Sequence, residues 1–216
     1  MAVKSYALTT AARLSSYMDI TTPTGTKLTA MEKTIDALTD FIEGYIGRRI
    51  KKTTYTREMY DTEEGATLDL EQFPVISTES FSLEKRNSVY NEDSWETVDS
   101  EEYHIDYKTG IIVASGAYQF MRTIQGYRVT YTAGYVFDNS ATFLSDTEAG
   151  DLELAIWILA ETTWNKRKGG NGVTSERIGD YSVTYKKAVM ESEDIKSILD
   201  KYAVPIGMGV ITPFQG

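Results

Sequence analysis

Three groups of side chains in this 216-residue sequence have types and spacings that could do chemistry. The first is Tyr103-His-Ile-Asp106, which contains the only histidine of the chain. On a strand, residues two apart share a face, so His104 and Asp106 could act as a general base and the carboxylate that orients it. No nucleophile lies near them in sequence, and the plainer reading is a surface histidine on an acidic sheet. The second group is acidic: Asp61, Glu63 and Glu64, then Glu92, Asp93, Glu96, Asp99, Glu101 and Glu102. These could pair as glycosidase carboxylates, hold a hard cation such as Ca²⁺, or form a solvated face that repels nucleic acid. A calcium loop needs alternating oxygen ligands around a glycine, and no such loop is present, so the solvated face is the reading preferred. The third group is basic, Arg48-Arg-Ile-Lys-Lys52 and Lys166-Arg-Lys168. Both runs could touch phosphate, yet both lie where a helix ends, and cations there oppose the carbonyl end of the helix dipole. In a symmetric assembly Lys166-Arg-Lys168 could also pair with a neighbour's acidic residues.

No established catalytic motif joins these groups. The chain has no phosphate loop, no GxSxG elbow, no HExxH helix and no cysteine. Its glycine run Gly169-Gly170-Asn-Gly172 follows a helix, where it is a stop rather than a dinucleotide cradle. The expectation is therefore a non-enzymatic protein with no catalytic residue, metal or cofactor. Lys and Arg total 22 against 32 Asp and Glu, a net charge of −10, which disfavours a sequence-reading DNA binder. The sequence also shows no leader peptide and no run of about 18 apolar residues, so neither export nor a membrane span is expected.

The elements that must position these residues fall into two kinds. Up to Lys52 and after Tyr135 the apolar residues recur at helical spacing, and between them they alternate and are punctuated by turn residues. The net charge changes at the same places: +3 over 1–52, −9 over 53–135 and −4 over 136–216. This predicts an α+β protein. Its helical bundle body, 1–52 and 136–202, is interrupted by an acidic antiparallel β insertion, 53–135, and followed by an extended C-terminal arm, 203–216.

Helices are predicted over 10–18, from the capping-box pattern Thr29-Ala-Met-Glu32 to Arg49, from Asp151 through Lys168, and over 193–202 behind Ser192. The third is apolar on more than one stripe. Leu152, Ala155, Ile156, Leu159 and Thr163 form one face, and Leu154, Trp157, Ile158 and Trp164 widen it, as burial on two sides requires. Strands are predicted over 53–60, 67–70, 75–83, 95–98, 103–106, 111–114 and 127–132, with Tyr107-Lys-Thr-Gly110 as a hairpin turn. A second short hairpin is expected over 173–178 and 181–185.

Tyr55, Tyr60, Tyr127, Tyr131 and Tyr135 alternate along strands, as half-buried core tyrosines do, and their acidic surroundings argue against a base-stacking platform. After the last helix the chain is apolar and broken by prolines and glycines, too irregular for a helix and too short for a core. Such an arm should dock as an extended segment, inserting Ile206, Val210, Ile211 and Phe214 into a groove of its own body or of a partner.

Several segments together resemble the head-tail connector (adaptor) proteins of tailed bacteriophages. They are Leu8-Thr-Thr-Ala-Ala-Arg-Leu14, Ile42-Glu-Gly-Tyr-Ile-Gly-Arg-Arg49, Leu68-Asp-Leu-Glu-Gln-Phe-Pro-Val75, Val129-Thr-Tyr-Thr-Ala-Gly-Tyr135, Asp151-Leu-Glu-Leu-Ala155, Asn165-Lys-Arg167 and Val173-Thr-Ser-Glu-Arg-Ile-Gly-Asp-Tyr-Ser-Val183. Their order is more specific than any one of them. Two departures from the pattern are a longer 137–150 segment without the proline often found there, and a distinctive tail after Pro205.

The resemblance implies a structural virion protein at the head-tail interface, assembled in the host bacterial cytoplasm. Members form a ring, typically of twelve subunits, beneath the portal protein and extend the DNA channel toward the stopper or tail. The partners implied are further copies of the chain, the portal and a stopper or tail protein, with genomic DNA only passing through. On this reading Val204, Ile206, Val210, Ile211 and Phe214 belong to a portal- or neighbour-binding arm. Trp157, Ile158, Trp164, Lys166 and Arg167 pack subunit against subunit, and Glu63, Glu64, Glu92, Asp93 and Glu96 face the channel or a partner. A stopper or tail-completion protein of the same neck is the nearest alternative. A carboxylate-based hydrolase or carbohydrate-binding module using Glu92, Asp93, Glu96 and Asp106 is the alternative from another class.

Overall fold

The computed structural model describes residues 3–87, 94–137, 149–169 and 192–204. The chain divides into a helical unit, Met1–Lys51 with Val136–Gly216, and a β unit, Lys52–Tyr135. The fold class is α+β.

The helical unit holds α1 (Ala11–Tyr17), α2 (Gly25–Ile46), α3 (Gly150–Gly169) and α4 (Glu193–Tyr202). Thr10 caps α1, its hydroxyl oxygen accepting from the Arg13 amide. Helix α2 begins a turn before the expected Thr29. Thr29 does not cap it, because its hydroxyl donates back to the Gly25 carbonyl inside the first turn. Half-buried Leu28 extends the apolar stripe Met31, Ile35, Leu38, Ile42 and Ile46 by one position. The helix also stops earlier than the expected Arg49. Gly47 takes a left-handed conformation, φ 85°, and returns its amide to the Glu43 carbonyl. Ser192 caps α4 by accepting from the Ile195 amide, and Ile195, Leu199 and Tyr202 are buried. Along α3, Leu152, Ala155, Ile156, Leu159 and Thr163 are buried, and so are Glu153, Trp157 and Ala160. Burial thus wraps well beyond one stripe.

In the β unit all strand pairings are antiparallel. One sheet has the order β1 (Thr53–Thr62), β7 (Thr123–Ala133), β3 (Ser82–Arg86) and β4 (Trp95–Thr97). The other has β2 (Thr67–Asp69), β6 (Ile111–Ala114) and β5 (Tyr103–Asp106). Sequence proximity accounts for only part of this, since β1 pairs with the last strand and β2 with β6. The predicted strand over 75–83 is divided. Val75 makes an isolated bridge to Ala133, the chain turns where the Glu79 amide bonds the Ile76 carbonyl, and regular pairing resumes at Ser82. Leu68, Leu83, Ile112, Phe120, Val129 and Tyr131 lie in one core.

Candidate assembly surfaces

The densest polar constellation among the described residues is internal to the helical unit. Arg13 of α1 grips Glu153 of α3 with two hydrogen bonds, Nε to Oε1 at 2.7 Å and Nη2 to Oε2 at 2.6 Å. Thr9 donates to the same carboxylate at 2.8 Å and accepts from Trp157 Nε1 at 2.9 Å. Tyr17 stacks on the Trp157 ring at 5.2 Å, and the Arg13 guanidinium lies 5.7 Å from it. Trp157 is fully buried by its own chain. This corrects its expected place in subunit packing: the indole nitrogen needs an acceptor, and Thr9 supplies one within the unit. Ile158 and Trp164 are half-buried, and the side chains of Lys166 and Arg167 lie outside the described residues.

The basic run after α2 is spent on the fold. Arg48, buried, donates to the Tyr202 carbonyl at the end of α4 at 3.1 Å. Arg49 pairs with Glu43, whose other oxygen accepts from the Ile50 amide, and Lys51 bonds the Ala7 carbonyl. Burial raises the Glu43 carboxyl above its ordinary value, against the pull of Ile50 and Arg49. On the far side of α4, Asp151 accepts from Tyr202 and Lys201. Burial pushes Asp151 up, but these donors outweigh it and the net shift is downward; burial and then the Asp151 bond push Tyr202 up to about 12. Val204 does not reach away from the body. Its amide bonds the Ile46 carbonyl at 3.1 Å, because the last carbonyls of α2 need donors. Ile206, Val210, Ile211 and Phe214 lie outside the described residues, as do Glu92, Asp93 and the hairpin expected over 173–185.

In the β unit, Glu63 and Glu64 are exposed, Glu63 lying 3.3 Å from Arg122, and Glu96 lies 3.7 Å from Lys85. Of the carboxylates considered for the hydrolase alternative, the two that are described, Glu96 and Asp106, have structural partners. Asp106 accepts from the Lys108 amide in the β5–β6 turn, and the nearby Thr109 side chain, then that amide, hold its carboxyl below its ordinary value. His104, exposed, sits opposite Val113 in the β5–β6 ladder. A cluster absent from the sequence reading is Glu58 with Tyr60 and Tyr131, both hydroxyls donating to one carboxylate oxygen. Burial, then the charge of Glu58 for Tyr60 and the Tyr60 neighbour for Tyr131, hold both phenols protonated. That arrangement locks β1 to β7.

The described tip of the β1–β7 ladder carries a further feature. Between the pairs Tyr60–Tyr127 and Thr62–Thr123, β1 advances two residues and β7 four. The excess bulges out at Ile124-Gln125-Gly126, with Gln125 at φ 49° and its amide donating to Asp61 at 2.7 Å. A Cβ at Gly126 would fall 1.8 Å from the Thr123 hydroxyl, so only glycine fits. Ile124 is 82% exposed and Met121 66%. Alternation along the strand could not reveal this, because the bulge breaks the period.

Among the described residues no group of three or more His, Cys, Asp or Glu side chains is placed to hold a metal ion, and no helix is long and apolar enough to cross a membrane. The class defined by this fold and these side chains is an α+β protein of a helical and a β unit. Among the described residues, its buried charges fix helices to one another, and its most exposed large apolar residues stand at the β7 bulge.

Comparison with known proteins gives the class a family. The head completion protein model matches residues 7–203, and the chain belongs to that family of phage head-tail connector and completion proteins. Among solved structures, a chain in the neck of an empty gene transfer agent particle, computed with C6 symmetry, superposes with a TM-score of 0.56 at 18% identity, covering 97% of this chain and 96% of that one. A chain from the virion of the native gene transfer agent particle gives 0.53 at 18% identity, with 97% and 96% covered. One from the neck of the native particle, computed with C12 symmetry, gives 0.51 at 18% identity, with 97% of each covered. At this identity the likeness is one of fold. No curated protein matches the sequence.

Proposed function

We propose that this chain is the adaptor of a phage neck: a ring of twelve copies seated under the portal protein that prolongs the DNA channel toward a stopper or tail protein. The observation that carries the reading is the family match across residues 7–203, which takes in both units. The fold likeness to chains from particle necks computed with C12 and C6 symmetry supports a ring. The −9 charge of residues 53–135 suits a surface past which DNA must slide, since basic residues there would hold phosphates. Glu63, Glu64 and Glu96 are candidates for that surface. The protein would then reside in the virion, put together in the host cytoplasm.

Portal contact is assigned to the arm, beginning after Val204 rather than at it, because the Val204 amide is committed to Ile46. Ile206, Val210, Ile211 and Phe214 are its anchors. Electron microscopy of the purified chain mixed with its portal tests the role. An adaptor forms a ring directly on the portal; a stopper binds only once another ring is already there, and that result would overturn the adaptor reading.

A further inference from the structure

From the distribution of charge on the β unit we propose that the outer face of its four-stranded sheet docks on the outer face of the three-stranded sheet of a neighbouring copy. The proposal rests on the ring reading above and names a contact that closes the ring. Leu83, Val129 and Tyr131 of the first sheet share one core with Leu68 and Ile112 of the second. The residues that alternate with them point away from that core, one set on each side. Residues 53–135 hold six basic side chains against fifteen acidic ones, and three of the six belong to the first of these outer faces. Arg128 and Arg86 lie over the half-buried Trp95 ring, at 4.4 and 5.1 Å. Arg57 is exposed where the β1 register shifts, its amide donating to the Thr130 hydroxyl. One carboxylate answers them, Glu84, which takes two hydrogen bonds from Arg128. Asp61, farther along β1, is held at the tip by the Gln125 amide, and Glu92 and Asp93 lie outside the described residues. Met59, 44% exposed, sits opposite Arg128 in the ladder. The other three cations are placed elsewhere: Lys85 beside Glu96, Arg122 beside Glu63, and Lys108 in the β5–β6 turn.

The second outer face has the opposite sign. Asp69, Ile111 and Asp106 are in register across β2, β6 and β5, and Thr67, Val113 and His104 form the next row. Both aspartates are exposed, Val113 is 38% exposed, and Asp99 and Glu101 stand exposed just ahead of β5. Lys108, in the turn at the end of this face, offsets one of these charges. Each face thus carries an apolar strip, Met59 with Trp95 on one and Ile111 with Val113 on the other, among charges that the other face complements. A closed ring of identical subunits joins two different patches of each copy. With twelve copies the turn from one to the next is about 30°, so the patches must lie on nearly opposite sides of the subunit. The two outer faces of packed sheets meet that condition. DNA would satisfy the arginines and leave Met59 and Trp95 uncovered, whereas a second copy answers both.

The chain has no cysteine, so introduced ones report the contact without background. Full-length M59C and V113C chains, mixed alone or on portal rings and oxidised, should yield a disulfide-linked heterodimer of twice 24.2 kDa on a non-reducing gel. R57E and D69K change exposed residues, so each should keep the wild-type melting curve. Each should also assemble roughly tenfold more weakly by sedimentation, because like charges then meet across the contact. R57E/D69K, with both charges reversed in one chain, should recover most of that loss. Rings of R57E that form as readily as wild type, a double variant no better than either single one, or oxidation that gives only homodimers would overturn the contact and leave the ring reading standing. Loss of duplex DNA binding by R57E with ring assembly unchanged would overturn it in favour of DNA. A wild-type chain that forms no ring in either setting overturns the ring reading and this inference with it.

Discussion

Arg13 and Glu153 lie 140 positions apart, each almost wholly buried, and each is tolerable there only because of the other. Removing one charge strands its partner in a low-dielectric interior, so E153Q should cost about 3–5 kcal/mol in chemical denaturation. R13M/E153L, which removes both, should be less destabilised than E153Q; equal or greater loss would show that the pair is not the source. A second residue-scale test uses pH. Hydrogen bonds from Arg128 are the first cause of the lowered Glu84 carboxyl. A depressed carboxylate stabilises the fold above its ordinary value of 4.5, and that contribution fades as pH falls below 4.5 through the depressed value. E84Q should therefore flatten the acid limb of the stability curve, and an unchanged limb would contradict the assignment. Nothing in the sequence marks these partners. An arginine in Ala-Ala-Arg-Leu and a glutamate in Leu-Glu-Leu are legible as charges on apolar helices, but their pairing is a tertiary fact. The basic run 48–52 is legible as charge at a helix end, but that Arg48 answers the end of α4, remote in sequence, is a tertiary fact.

At the scale of elements, local chemistry decided much of what was readable. Thr10 and Ser192 lie at their helix starts because each hydroxyl accepts an amide proton that the helix leaves free. T10A and S192A should each cost about 1 kcal/mol, with loss of helicity at the affected end. Gly47 needs positive φ, so G47A should cost about 1–2 kcal/mol although a Cβ there meets only Val204 at 3.8 Å, an ordinary contact. Where hydroxyls had two options, the sequence misled: the Thr29 pattern matched a capping box, yet one turn of helix precedes it. Strands β5 and β6 were fully legible because a tight turn joins them. The β7 boundary was not, since a bulge shifts the alternation, and the β1–β7 pairing joins residues some 70 apart.

For the whole molecule, the change from helical to alternating periodicity near Thr53 and back after Tyr135 lies where the β unit begins and ends. Assembly is a different matter, because a ring is a property of surfaces and partners that one chain's pattern records only indirectly. Trp157 shows the difficulty. Its large apolar ring on a two-sided helix suggested an interface, and the unit itself absorbed it. Deleting 205–216 leaves the Val204 amide on Ile46, so the body should keep its melting temperature while portal affinity falls at least tenfold in a binding titration. Undiminished affinity would place the portal contact elsewhere. The most direct measurement of the structural role is the copy number of this chain in purified virions, counted by quantitative mass spectrometry against the portal protein. An adaptor ring matched to the portal predicts one copy per portal subunit; virions that lack the chain would contradict the account.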